Sequence, residues 1–354
     1  MTLLIMKIKS IFCLLVVAFF MVSCRHHERK SYDEMGSNGL TTRTENLQTN
    51  LRTFMNKGVM IGQIYDSLKG IGWKDKSHHS NMFSICDDYA AVGGYELMGV
   101  EKGCKVNRDG ERFDVIRKDI LRLFKRGGLI ILFWTAPDFN ENEDMLDEYV
   151  KQLAKYLDSL QDGYGIKAPV VLCLYPLDGK SWYTQLSAGD YKSLCDKTID
   201  KLKKAEVTNA IYGFSFSQMI SREKINQYIS DDIDVINYSL ISKTKNVESY
   251  RKNFHEMLQV LTSVAQERYM VPGLTTGIEG IPDSVYFTGT ILSAIQKYHL
   301  SYIMFGANYG DSKEGHYCVP YPGMNNAVIS DFVKMYNDDK TIFLKHLNGL
   351  YLKY

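Results

Sequence analysis

The side chains able to do chemistry gather in a few short segments of the 354-residue chain. They are Trp134-Thr135-Ala136-Pro137, the run Tyr-Pro-Leu-Asp-Gly-Lys-Ser-Trp-Tyr at 175–183, Asn237-Tyr238, the run Thr-Thr-Gly-Ile-Glu-Gly at 275–280, and Gly306-Ala307-Asn308-Tyr309. Trp134, Trp182, Tyr183, Tyr238 and Tyr309 bring flat apolar rings to these places, a surface suited to a flat, neutral ligand. Asp178 and Glu279 are the carboxylates within the same segments. A Gly-x-Gly-x-x-Gly turn, a phosphate loop, a His-Glu-x-x-His pair and a Gly-x-Ser-x-Gly elbow are all missing, so nucleotide, zinc and serine-nucleophile chemistry have no support.

Each segment follows a short apolar run. Such runs stand at 60–64, 89–95, 129–134, 169–175, 210–216, 233–238, 270–275 and 302–305, with helix-like stretches between most of them at 113–125, 145–160, 191–204, 250–268 and 284–298. Near-continuous apolar strands alternating with amphipathic helices predict a parallel sheet covered by helices. Eight repeats predict an α/β fold of the (β/α)8 TIM-barrel kind, with a doubly wound open sheet as the alternative. In a barrel the working residues lie at the C-terminal ends of the strands, where the segments above fall.

Composition narrows the partners. Lys plus Arg number 42 against 41 for Asp plus Glu, a net charge of +1, so the basic surface that nucleic acid requires is absent. At the N-terminus, Lys7 and Lys9 precede an apolar run at 11–22 that is short for a membrane span and ends in Ser23-Cys24. This resembles a bacterial lipoprotein signal: residues 1–23 would be removed and Cys24 acylated, placing the protein at the cell envelope, with the outer membrane as the expected site and its face left open. Residues 24–50 read as a flexible tether and 51–354 as the barrel. His26-His27 within the tether is weak evidence for a metal. Five cysteines remain beyond Cys24, an odd number that does not read as a disulfide framework. Cys86 and Cys104 are the pair near enough in sequence to suggest a bridge.

From about residue 51 onward the sequence resembles glycoside hydrolase family 26, the β-mannanase-type barrel enzymes. The landmarks are Met60-Ile61-Gly62-Gln63, Gly94-Tyr95-Glu96-Leu97, Arg126-Gly127-Gly128-Leu129 leading into Phe133-Trp134, and Pro169-Val170 leading into Ser181-Trp182-Tyr183. Glu279-Gly280-Ile281-Pro282-Asp283, Tyr321-Pro322-Gly323 and Asp331-Phe332 follow in order. The resemblance implies two catalytic glutamates about 5 Å apart across the glycosidic bond, an acid/base and a nucleophile. Counting back from Trp182, the acid/base position holds Leu177 and its preceding His position holds Pro176. Counting back from Glu279-Gly280, the nucleophile position holds Thr275, or Thr276 if the register slips by one. The family's Trp-His after the third strand reads Trp134-Thr135, and its Trp-Arg-Asn after the eighth reads Gly306-Ala307-Asn308, so only the Asn remains.

Sugar rings stack their apolar faces on aromatic rings while polar side chains fix the hydroxyls. Trp134, Trp182, Tyr183, Tyr238, Asn308 and Tyr309 are therefore the expected sugar contacts, with Trp182 matching a sugar-facing Trp of the family. The expected function is a lipid-anchored barrel that binds β-mannan or a related hemicellulose without cutting it, in polysaccharide capture, with no cofactor or metal. One alternative is an active mannanase-type glycosidase with relocated carboxylates, Asp178 and Glu279. Another is an envelope scaffold that binds no glycan.

Overall fold

The apolar runs become strands buried on both faces. In the computed structural model, β1 (Val59–Ile64), β2 (Val92–Glu96), β3 (Leu129–Trp134), β4 (Val170–Leu174), β5 (Ala210–Phe216), β6 (Ile233–Ser242), β7 (Val271–Ile278) and β8 (Tyr302–Phe305) each pair in parallel with the next. β8 then returns to β1, with Met60 opposite Tyr302 and Gln63 opposite Phe305. The sheet is thus the closed (β/α)8 barrel that the alternation predicts. A two-residue strand, Thr341–Ile342, adds to the outer start of β1. The structure describes residues 34–353 except 77, 140–141, 244–245 and 312. The expected signal peptide at 1–23, Cys24 and the first part of the tether lie outside the described residues.

Helices cover the barrel because their apolar residues recur every three or four positions. In α2 (Phe113–Lys125), after α1 (Thr42–Met55), the buried stripe is Phe113, Ile116, Ile120 and Phe124. α3 (Glu143–Asp158) and α4 (Ala188–Lys204) begin where Asn142 and Ser187 accept the backbone N–H of Met145 and Asp190, ordinary N-caps that satisfy otherwise orphaned donors. α5 (Arg222–Tyr228), α6 (Val247–Glu267), a π-helical turn (Phe287–Leu292) running into α7 (Ser293–Lys297), and α8 (Asn326–Tyr336) complete the layer. No helix among the described residues is long and apolar enough to cross a membrane.

The expectation of a tether as far as residue 50 is corrected. α1 packs Leu47, Leu51 and Phe54 into the core, and the Asn50 amide donates to the carbonyls of Gly349, Leu350 and Leu352, clasping the C-terminal tail. Gln48 donates to Asp234 near the start of β6, and the Thr41 N–H donates to Thr208 just ahead of β5. The folded unit therefore begins before α1, which closes the N-terminal end of the barrel. The described cysteines are free, so Cys86 and Cys104 form no bridge.

Inside the barrel a polar chain links four strands. The Asn237 amide on β6 donates to Ser215 on β5, and its carbonyl accepts Thr275 on β7 at 3.2 Å and Tyr302 on β8 at 3.0 Å. Tyr302 reaches that far because Gly273 beside it has no side chain; a Cβ there would lie 2.0 Å from the ring.

Candidate functional site

The mouth of the barrel is formed by the strand ends and the loops after them. Just past β4 stands Tyr175, a non-glycine residue at φ 48°, a left-handed conformation that side chains ordinarily avoid. Its hydroxyl bonds Thr198 on α4, which holds the turn. Beyond it the Leu177 N–H donates to Ser215 and the Leu177 carbonyl accepts Ser217, so Leu177, which the resemblance expects at the acid/base position, is stitched onto β5 with its aliphatic side chain buried. Thr275, expected at the nucleophile position, points inward to Asn237, whereas Thr276, the alternative register, points outward and bonds Tyr250 on α6. The alternation of a strand sends the two threonines to opposite faces.

Asp178, Glu279 and Glu96 stand at or just past described strand ends, and each is already engaged. Asp178 closes a turn: one oxygen accepts the N–H groups of Lys180 and Ser181 at 2.8 Å each, the other the Ser181 hydroxyl. Partial burial pushes its carboxyl up, but those donors outweigh it and hold Asp178 below the usual range, which makes a poor general acid. Glu279, just past β7, accepts His316 Nδ1 at 2.8 Å, with Lys243 3.9 Å away. Tyr309 stacks on that imidazole with centroids 4.6 Å apart.

Glu96, at the end of β2, was not singled out from sequence as a site residue. It is buried and accepts the N–H groups of Leu97, Met98 and Thr135, the Thr135 hydroxyl at 3.0 Å, and Arg108 at 2.9 Å. Burial pushes its carboxyl up against the opposing pull of Arg108. Gly94-Tyr95-Glu96-Leu97 was visible as a landmark, and its place at a strand end was the available signal. Thr135, which stands where the resemblance expects a sugar-contacting His, is thus a hydrogen-bond partner of Glu96.

The expected aromatic wall is only partly realised. Trp134 is corrected from sugar contact to core: it is fully buried and its indole N–H donates to Glu101 at 3.0 Å. Tyr183 and Tyr238 are likewise buried, and Asn308 is a structural knot, accepting Gln63 and the Cys318 N–H while donating to Val319. In this conformation none of these four can touch a ligand. Trp182 remains half-buried at the rim, its N–H on the Ala136 carbonyl and its ring edge-on to Phe139. Tyr309 is 38% exposed. A larger residue at Gly306 is excluded, since even a Cβ would lie 2.9 Å from Cys318 Sγ. Among the described residues no group of three or more His, Cys, Asp and Glu could hold a metal.

No protein-family model matches the chain. Among solved structures, a GH26 β-mannanase from Bacteroides ovatus is 30% identical with a TM-score of 0.81, over 88% of this chain and 98% of that one. GH26C from Muricauda sp. MAR_2010_75 is 19% identical with a TM-score of 0.75, over 88% and 94%. The catalytic domain of a GH26 endo-β-1,4-mannanase from Bacillus sp. JAMB-750 is 18% identical with a TM-score of 0.75, over 89% and 94%. At such identities these last two likenesses speak for the fold alone.

Proposed function

The chain belongs to glycoside hydrolase family 26, and from that premise we propose that it binds β-mannan or a related hemicellulose without hydrolysing it, anchored at the bacterial envelope through a lipid on Cys24. The observation that carries this reading is the pair of side chains at the positions where glutamates are expected. Leu177 is buried and apolar, and the Thr275 hydroxyl is spent on Asn237 inside the barrel. Neither can protonate a leaving group or form a glycosyl ester. General acid/base help is worth roughly a hundred- to ten-thousand-fold, and the covalent route adds to it, so a mouth without both groups retains little hydrolytic power. Asp178, Glu279 and Glu96 support the same reading, because a turn, a His and an Arg respectively already hold them.

The place in polysaccharide capture and the polymer class rest on the family and on the half-buried ring of Trp182 and the exposed ring of Tyr309 at the rim. The envelope location rests on the Lys-flanked apolar run ending at Ser23-Cys24. The test pairs binding with product release: purified protein is titrated with mannans, xylans and β-glucans and assayed for new reducing ends. Binding of mannan with no reducing ends is the expected result. Reducing ends that vanish in Asp178→Asn or Glu279→Gln would replace it with an active enzyme using relocated carboxylates. Absence of any glycan binding would leave an envelope scaffold. Labelling by a fatty-acid probe that disappears in Cys24→Ala tests the anchor.

A further inference from the structure

Beside the mouth, a groove of about 470 Å³ lies among Lys69, Gly70, Trp73, Lys74, Asp109, Glu111 and Tyr309. Its size falls within the roughly 300–1,000 Å³ of small-molecule pockets. Three rim loops form it, and they are pinned to one another. The antiparallel hairpin of Lys69–Gly70 and Trp73–Lys74 is tied to the loop after β8 by the Gly72 N–H on Gly310, and to the loop after β2 by Lys74 Nζ on the Gly110 carbonyl. Gly70 makes room for the half-buried Trp73, since a Cβ there would lie 2.3 Å from the indole nitrogen. A groove braced in this way loses little freedom when a ligand enters.

Its charges cancel locally. Buried Glu111 accepts both Lys69 at 3.0 Å and Lys74 at 3.2 Å through one oxygen, while its other oxygen has no hydrogen-bond partner. Lys69 Nζ also stands 4.6 Å from the centre of the Tyr65 ring and 5.3 Å from that of Tyr309. Asp109 takes the Tyr65 hydroxyl at 2.9 Å and lies 4.0 Å from Arg108, leaving an exposed carboxylate edge. Two ammonium groups and two carboxylates beside two aromatic rings offer stacking and many hydrogen bonds but no net attraction for an anion.

We infer that this groove is a carbohydrate subsite that holds a neutral pyranose of a bound oligosaccharide, with Trp73 and Tyr309 as its apolar walls and Asp109, Lys69 and Lys74 meeting the hydroxyls. The inference rests on the glycan-binding reading above and extends it to Trp73, which lies outside the strand-end segments. Tyr309 links the two places, since His316 of the mouth stacks on it and its ring also lines the groove.

The test is calorimetric titration of the purified protein with β-1,4-mannohexaose and, separately, with an oligogalacturonate of equal length. Trp73→Ala is expected to weaken mannohexaose at least tenfold, Trp73→Phe to restore most of the loss, and oligogalacturonate to bind weakly or not at all. If Trp73→Ala and Tyr309→Ala bind mannohexaose as the parent does while Trp182→Ala abolishes binding, the groove inference falls and the glycan-binding reading stands. If the parent ignores mannohexaose and every glycan in the wider panel, that reading falls first and takes the groove with it. Tight oligogalacturonate binding that is lost in Lys74→Gln would overturn the neutral-sugar assignment.

Discussion

Asn237 makes a sharp residue-scale test, because one amide serves Ser215, Thr275 and Tyr302 inside the barrel. Asn237→Leu should cost on the order of 3 kcal/mol, since buried hydroxyls lose their partner. Thr275→Val should cost only about 1 kcal/mol, because the Asn237 carbonyl keeps Tyr302. Equal shifts of the two urea midpoints would contradict this arrangement. Trp134→Phe is expected to lower stability by about 1–2 kcal/mol through the lost bond to Glu101 while leaving glycan affinity unchanged. A pH test belongs here too. Burial pushes the Asp66 carboxyl up to about 6, more than its bonds from Ser80 and Met82 pull it down. A carboxyl raised in the folded state stabilises the fold most below its unfolded value near 4, and that contribution is lost as pH rises through about 6. The loss amounts to roughly 3 kcal/mol at most for a shift of about two pH units. Asp66→Asn should therefore flatten the fall in melting temperature between pH 4 and 7, and an unchanged profile would refute the assignment. Residue type and spacing were enough to set Leu177 and Thr275 where the resemblance expects glutamates. The sequence could not tell that Trp134 is buried with its N–H on Glu101, since the last residue of a strand can face either side of the sheet. Glu96 was hidden for a related reason: its bonds to Thr135 and Arg108 join residues far apart in the chain.

Elements were far easier to read. Strands buried on both faces are continuous apolar runs, and 129–134, 210–216 and 302–305 match β3, β5 and β8 end to end. β6 runs on to Ser242, past the predicted 233–238, because Ser239 to Ser242 still pair with β7 as far as Ile278. α1 escaped notice because its buried stripe, Leu47, Leu51 and Phe54, is set among Thr, Arg, Asn, Gln and Glu. Such a pattern looks like a solvated linker until something packs on it. A chain begun at residue 51 would lose Leu47 and the Asn50 clasp on the C-terminal tail. It is expected to melt at least several degrees below a chain begun at residue 34, or to aggregate; equal melting curves would return 34–50 to the status of a tether.

At the scale of the whole molecule, a net charge of +1 and locally cancelled charges in the groove favour a partner recognised by shape and hydrogen bonds. Mannan affinity should change by less than about twofold between about 0.05 and 0.5 M salt, whereas a charge-held partner would weaken steeply over that range. A strong salt slope in the same titration would speak against a neutral ligand. The Thr41 contact with Thr208 adds a directional consequence: the chain joins the barrel from the end opposite the mouth. A lipid on Cys24 would moor the molecule by its floor, with Trp182 and Trp73 looking away from the bilayer. A polymer could then be met broadside from the aqueous space, without threading a chain end between protein and membrane, and several moored copies could grip one strand at once.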